Sequence, residues 1–394
     1  MVGIPRRRVL ALGALGAAGA FAAACSSPPP ADRPAWASGV HAWDPARSLY
    51  HPDAPWPRWT AARTAGRGHV TTMLDSITHG AGVPGLSRPC QQYSWPGRLR
   101  RILDGRFGPS GTGVAVPWNG LLPTDPRFQV FGPVGEAPLG MHACACLRIP
   151  GAPDDGAAVE FTGDGDTFRV HHLGPGIRFA VDGVPVLPSS QVGSTHVVST
   201  VPAGQYGTHV LRVLSPGREP TSTASLLGVE AGTATGMRVS NLARAGLSAG
   251  SLVADDAGGL RGLAVSVDAM AADLAILLVS ANDFRAHVPV ATFVERIRTT
   301  IRRQRATGGD VLLATPGEPD PGIFPPDHVL DPPLTDYLAA LYGLADAEDV
   351  PLLDLRARWG AHADAAARGF FTDGIHPNDR GSEDIAQAVA AVLL

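Results

Sequence analysis

The sequence predicts an α/β protein: a three-layer α/β/α domain on a parallel sheet, interrupted by an inserted all-β, jelly-roll-like sandwich. Three observations predict it. The run from His69 to Leu74 is apolar and β-branched and breaks at Asp75-Ser76, which reads as a strand running into a helix start. From Gly236 onward, short apolar runs such as Leu274 to Val279 alternate with segments of helical period, the pattern of βα units around a parallel sheet. Between about Pro126 and Thr235 the pattern is instead one of short alternating runs separated by turn residues.

Taken in order, residues 1–25 read as an export signal, with Arg6-Arg7-Arg8 ahead of an apolar stretch from Val9 to Ala24 in the manner of a twin-arginine leader. Ala22-Ala23-Ala24-Cys25 fits either a lipobox, with Cys25 lipidated, or an Ala-x-Ala cleavage site. The Ser-Ser-Pro-Pro-Pro tract after it suits a tether leaving a membrane and favours the lipoprotein. The expectation is therefore an exported bacterial protein, membrane-anchored or secreted, that meets a membrane only through this anchor. Residues 26–65, rich in Pro, Ala and Trp, read as a linker and surface arm. Residues 66–125 open the α/β domain, with Ser94 capping a helix that has Pro96 at an early position and runs to Leu103.

Residues 126–235 form the expected insertion, with strands at 157–162, 167–172, 177–181, 195–201, 208–214 and 224–230. Asp182-Gly183 supplies a hairpin turn within it. His171, His172, His196 and His209 fall on these strands and are assigned no role. Residues 236–394 complete the α/β domain, with strands at Met237–Leu242, Leu274–Val279, Val311–Ala314 and Pro351–Leu355. An amphipathic helix carries Phe293, Ile297 and Ile301, a second spans about Leu334–Ala347, and a last carries Ile385, Val389 and Val392.

Among 394 residues there is no lysine, so all 32 basic residues are arginine against 36 acidic ones, a formal charge of -4. Removing the leader takes away three arginines and leaves 29 against 36, or -7. That balance argues against nucleic acid as a partner. Outside the cytoplasm a disulfide from Cys90 to Cys144 or Cys146 is expected, leaving one thiol over. Cys144-Ala145-Cys146 lacks a matching Cys or His pair, so no metal site is expected there.

The chemistry-bearing residues are few and ordered. Ser76 stands where a strand gives way to a helix, the usual place for a reacting group in such sheets. A serine hydroxyl needs a base, and Asp373 and His376, three residues apart, supply an imidazole with a carboxylate to orient it. Asn282 follows the buried run 274–279 and offers an amide to a developing oxyanion. Gly246 allows a backbone N–H to come close to a substrate.

In this order, Asp-Ser, Gly, Asn-Asp and a C-terminal Asp-x-x-His, the chain resembles the SGNH (GDSL-type) hydrolases. The resemblance implies Ser76 as nucleophile, His376 as base and Asp373 as its orienting partner. It also implies an oxyanion hole made by the Ser76 and Gly246 N–H groups and the Asn282 amide. Leu74 and Ser280 depart from it, each standing where the family usually has Gly. A sandwich inserted in such a hydrolase looks like a carbohydrate-binding module, with a lid or brace as the other reading. The implied activity is hydrolysis of ester groups, O-acetyl above all, on an envelope or plant polysaccharide or a small ester, with no cofactor and no metal. Two rivals stand beside it. Gly246-Leu247-Ser248-Ala249-Gly250 matches the nucleophile elbow of α/β-hydrolases, with His79-Gly80-Ala81-Gly82 as a possible oxyanion motif, which would make the chain a lipase using Ser248. The other is a non-catalytic carbohydrate-binding lipoprotein.

Overall fold

The central strand Arg67–Leu74 is hydrogen-bonded on both sides, in parallel, to Gly236–Asn241 and to Leu274–Leu278. Asp310–Ala314 and Leu352–Leu353 continue the sheet in parallel. Numbered along the chain, these five strands lie in the order 2-1-3-4-5, so the order reverses between the strand that precedes Ser76 and the strand that precedes Asn282. Ligands of open α/β sheets bind at the carboxyl ends of the strands at such a reversal. The computed structural model describes residues 33–37, 39–83, 90–116, 125–137, 146–151, 156–174, 176–192, 196–214, 217, 223–254, 267–279, 281–323 and 332–394. Among them, no helix is long and apolar enough to cross a membrane. The leader, Cys25, Cys144 and Ser280 lie outside the described residues, as do the side chains of Cys90 and Cys146, so the lipidation and disulfide expectations fall there too.

Strand periodicity builds the three layers. Leu274, Ile276 and Leu278 enter one buried cluster, with helices Trp95–Phe107 and Asp379–Leu393, while Ala275, Leu277 and Val279 enter another, with helices Val290–Ala306 and Leu334–Glu348. Both faces are covered, which is why this strand reads as an unbroken apolar run.

The region 26–65 is more than a linker and arm. Leu49–Tyr50 pairs antiparallel with Leu352–Leu353, and Pro57–Ala65 is a helix. Buried Tyr50 and Trp59 hold the segment in the two clusters. Its periodicity was invisible because a two-residue strand and a helix opening on Pro57 are too short to show one.

Among the described residues the second sheet contains ten strands, Gly113–Ala115 included. Four of the expected strands merge into two: Ala158–Leu173 and His196–Leu214 pair along their whole length, with a register shift between Pro202 and Gly207. Each end of this ribbon has its own neighbours. Phe128–Phe131 and Arg178–Val181 flank one end, and Thr223–Gly232 and Ser190–Val192 flank the other. The glycines of Gly163-Asp164-Gly165, read in the sequence as a break between strands, instead let the backbone pass through a tight corner. A Cβ on Gly165 would lie 2.6 Å from the Gly232 carbonyl. The sheet also takes up Gly113–Ala115, ahead of the expected start at Pro126.

A buried ionic cluster joins the two sheets. Glu230, 1% exposed, accepts a 2.9 Å hydrogen bond from Arg169 and is ion-paired to Arg238, which stands on the parallel sheet. Burial alone would push the Glu230 carboxyl up, but Arg238, His69 and Arg169 outweigh it and hold the group at about 2. A carboxyl depressed from its ordinary 4.5 contributes stability that is complete above that value and is lost as pH falls toward about 2. Glu230→Gln should lower stability by about 3 kcal/mol at neutral pH and flatten the acid limb between those two values. Urea unfolding across pH tests this, and an unchanged acid limb in the variant would assign it to other carboxylates.

Candidate active site

Ser76 is positioned by a change of hand in the backbone. Val70 points into one buried cluster and Met73 into the other, as alternation requires, but Leu74 joins the cluster of Met73. Its φ of +86° takes it out of the pleat. This is the position where the resembling family usually has Gly, and the chain adopts the glycine-like conformation with a leucine. Asp75 then caps the short helix Ser76–His79, its Oδ1 accepting from the Ile77 N–H at 2.9 Å. Because Asp75 is the cap, the Ser76 hydroxyl is not consumed in capping. As first residue of the helix, Ser76 also has no intrahelical acceptor for its N–H.

The loop before the last helix brings the other two groups. Asp373 Oδ1 accepts from the N–H groups of Ile375 (2.9 Å) and His376 (2.7 Å), which folds Asp-x-x-His into a tight turn. The Asp373 Oδ2 then lies 2.8 Å from His376 Nδ1, and His376 Nε2 lies 2.9 Å from Ser76 Oγ. Partial burial would raise the Asp373 carboxyl, but the His376 ring and the two backbone N–H groups bring it below the usual range. An ionised acceptor at Nδ1 selects the tautomer with its proton on that nitrogen and leaves Nε2 able to accept from the serine hydroxyl. Asn378 anchors the loop by capping helix Asp379–Leu393 and donating to the Gly369 and Phe371 carbonyls.

Gly82 is a site residue that the sequence reading placed only in the rival motif. A Cβ there would sit 2.4 Å from the Pro377 carbonyl oxygen and 2.6 Å from His376 Cβ, and its own carbonyl accepts from Thr372 Oγ1. The missing side chain lets the His376 loop close over the serine helix. No signal in one sequence separates this glycine from an ordinary turn glycine.

Gly246 and Asn282 come from the loops after the two strands that flank the central strand, and the loops meet through Asn282 and Leu247. The loop after Gly236–Asn241 is laid along the central strand by Leu242 N–H to Thr72 O (2.8 Å) and Arg244 N–H to Leu74 O (2.9 Å), and Gly246 turns it with φ +80°. Asn282 donates an amide hydrogen to the Leu247 carbonyl at 3.0 Å. Asp283, fully buried, accepts from the Ala249 N–H at 2.8 Å and ties the two segments. Among the described residues, the N–H groups of Ser76 and Gly246 take part in no backbone hydrogen bond.

The elbow reading of Ser248 is corrected. Its side chain accepts from the Ser251 N–H as the cap of helix Ala249–Val253, well past the end of the strand at Asn241. An elbow serine must follow its strand at once. His79, its expected partner motif, is buried, with Nδ1 3.2 Å from the Ala243 carbonyl, and burial lowers it to about 4, so it is neutral near pH 7. Away from Ser76, the described residues bring ligand atoms of His41, His51 and Asp349 within 4.8 Å of one another at the far edge of the sheet.

Two substitutions check this geometry. Gly82→Ala should displace the His376 loop and lower turnover at least about tenfold, as small misplacements of a catalytic group do, while the thermal midpoint stays near that of wild type. Leu74→Gly relieves a backbone cost of about 1–2 kcal/mol but gives up a fully buried side chain worth about 2–5 kcal/mol, so the net effect should be destabilising. Calorimetry showing a gain in stability would mean that the strain outweighs the packing.

Comparison with known proteins agrees with the fold. Residues 205–383 match the GDSL-like Lipase/Acylhydrolase family, a span that holds Gly246, Asn282, Asp373 and His376 but not Ser76. No curated protein matches in a sequence search. Among solved structures, a peptidoglycan O-acetylesterase superposes with a TM-score of 0.65 at 15% identity, over 88% of this chain and 98% of that one. A family two carbohydrate esterase from Clostridium thermocellum has a TM-score of 0.30 at 13% identity, over 68% and 97%. An acetyl xylan esterase has 0.31 at 18%, over 40% and 82%. The chain shares the α/β fold of the peptidoglycan O-acetylesterase structure, and its residues 205–383 are similar to the GDSL-like lipase/acylhydrolase family.

Proposed function

We propose that the chain is an exported serine esterase that removes ester-linked acyl groups, O-acetyl foremost, from a cell-envelope or plant polysaccharide. The observation that carries this reading is the hydrogen-bonded series Asp373, His376, Ser76, closed at 2.8 and 2.9 Å by residues from opposite ends of the chain. In this scheme His376 Nε2 takes the proton as Ser76 Oγ attacks the acyl carbonyl, and the ionised Asp373 holds the imidazolium that results. The carbonyl oxygen gains negative charge facing the Ser76 and Gly246 N–H groups and the Asn282 amide. His376 then protonates the sugar hydroxyl as it leaves, and water attacks the acyl-enzyme with the same imidazole as base. The scheme calls for no metal or organic cofactor.

The substrate class is supported by the likeness to a peptidoglycan O-acetylesterase, and the export by the twin-arginine leader. The intact series argues against a purely glycan-binding protein, which would have no use for a base aimed at a serine.

An ester panel from p-nitrophenyl acetate to acetylated xylan and acetylated peptidoglycan tests the proposal. Ser76→Ala should abolish hydrolysis and fluorophosphonate labelling, while Ser248→Ala keeps both. Labelling that survives in Ser76→Ala would reject Ser76 as nucleophile. Asn282→Ala should lower kcat about 100- to 1000-fold with little change in KM, because its amide meets full charge only in the tetrahedral intermediate. A change confined to KM would make Asn282 a substrate-positioning group.

A further inference from the structure

The end of the parallel sheet opposite Ser76 holds a cleft of about 570 Å³. Arg67, Gly236 and Asp273, at the amino ends of three parallel strands, line it. Ser76 and Asn282 follow carboxyl ends. The eight-residue strand Arg67–Leu74 separates the two by about 25 Å, at roughly 3.3 Å per residue. One wall comes from the α/β domain and the other from the all-β region, which contributes Arg169 and Thr233.

Four arginines line this cleft, Arg58, Arg67, Arg169 and Arg238, in a protein whose formal charge is negative. Two carboxylates hold three of them. Glu230, behind the wall, takes one bond from Arg169 and an ion pair from Arg238. Asp273 pairs with Arg58 at 2.5 Å and also accepts from the His69 N–H at 2.8 Å. Asp166, farther out, is taken up by Thr233. The lining carries four cations against one carboxylate, Asp273; Glu230 behind the wall, Asp310 beside Arg58 and Asp166 beside Thr233 lie outside it, and buried His69, lowered to about 3, adds no charge. A guanidinium has five donors in a fixed fork. Fixing three of the four by carboxylates presets their geometry and leaves donors over for a bidentate partner. The volume falls within the range of small-ligand sites, about 300–1000 Å³, but the lining is polar where such sites are usually apolar.

We propose that this cleft is a second binding site, for an oxyanion, carboxylate or phosphate, carried on a saccharide. The saccharide carrier rests on the polysaccharide reading above; the oxyanion does not. A glycan held here lies on the face away from the nucleophile, so the site retains the polymer and does not orient the scissile ester.

The test uses the full chain, titrated calorimetrically at low salt with trigalacturonate, with inorganic phosphate and with neutral xylotriose. One anion per chain should bind, more weakly as NaCl is added, and xylotriose should not. Tighter binding of phosphate than of the uronate assigns a phosphate-bearing glycan, and the reverse assigns a uronate. The double variant Arg58→Ala/Arg67→Ala should bind at least tenfold more weakly with p-nitrophenyl acetate hydrolysis unchanged. Ala61→Glu, which sets a carboxylate at an exposed position on the cleft wall within reach of Arg58, should abolish binding. Binding of neither anion, equal affinity for xylotriose, or undiminished affinity in these variants would overturn the proposal. Loss of hydrolysis in Ser76→Ala with anion binding retained separates it from the esterase reading.

Discussion

The end of the sheet that carries Ser76 depends on the backbone reversal at Leu74. A strand that kept its pleat would send Leu74 into the cluster that holds Val70 and carry the chain onward past the sheet edge. With φ at +86°, Leu74 packs beside Met73 instead, and Asp75 is left free to cap a helix that begins at once with Ser76. The serine is thereby held at the strand's end with its hydroxyl bonded to His376 Nε2 and its N–H outside any backbone hydrogen bond among the described residues. A leucine tolerates this conformation because its side chain is fully buried, and the packing outweighs the steric cost.

Around that point three separate stretches converge because the sheet topology leaves them nowhere else to go. The order of the strands reverses beside the central strand, so the loops after Asn241 and after Leu278 both open toward Ser76. The loop that carries His376 arrives from the last βα connection and is admitted by Gly82, whose lack of a side chain permits contact with Pro377 and His376. Backbone N–H groups make the Asp373 turn, so the carboxylate that orients the imidazole is itself oriented by the residues it serves.

The two ends of the sheet differ in electrostatic character for one reason. At the carboxyl ends the buried carboxylates are met by backbone N–H groups, Asp75 by that of Ile77 and Asp283 by that of Ala249, beside the Asp373 and His376 pair. At the amino ends the all-β region is docked through buried charge, with Glu230 compensated by Arg169 and Arg238. Burying a carboxylate demands such partners. Their surplus donors make the second cleft a polar, positive surface, whatever reaction proceeds at the other end.

Much of this was legible in the sequence. Unbroken apolar runs gave the buried parallel strands, helical period gave the covering helices, and the blocks holding Ser76, Gly246, Asn282, Asp373 and His376 marked the residues now found at one end of one sheet. These are local patterns, set by which faces a segment must bury. The long bent ribbon, the antiparallel strand at Leu49–Tyr50, the role of Gly82 and the cap at Ser248 were not legible, because each depends on which distant segment lies alongside. Gly163 and Gly165 read as the end of a strand until Ala231 is seen packed against the first and Gly232 against the second. Glu230 and its arginines lie on three different strands and share no spacing that a single sequence displays. Sequence by itself determined the kinds of element and the chemical groups available; only the tertiary structure decided which of those groups meet, since meeting is a property of packing between segments and not of any one of them.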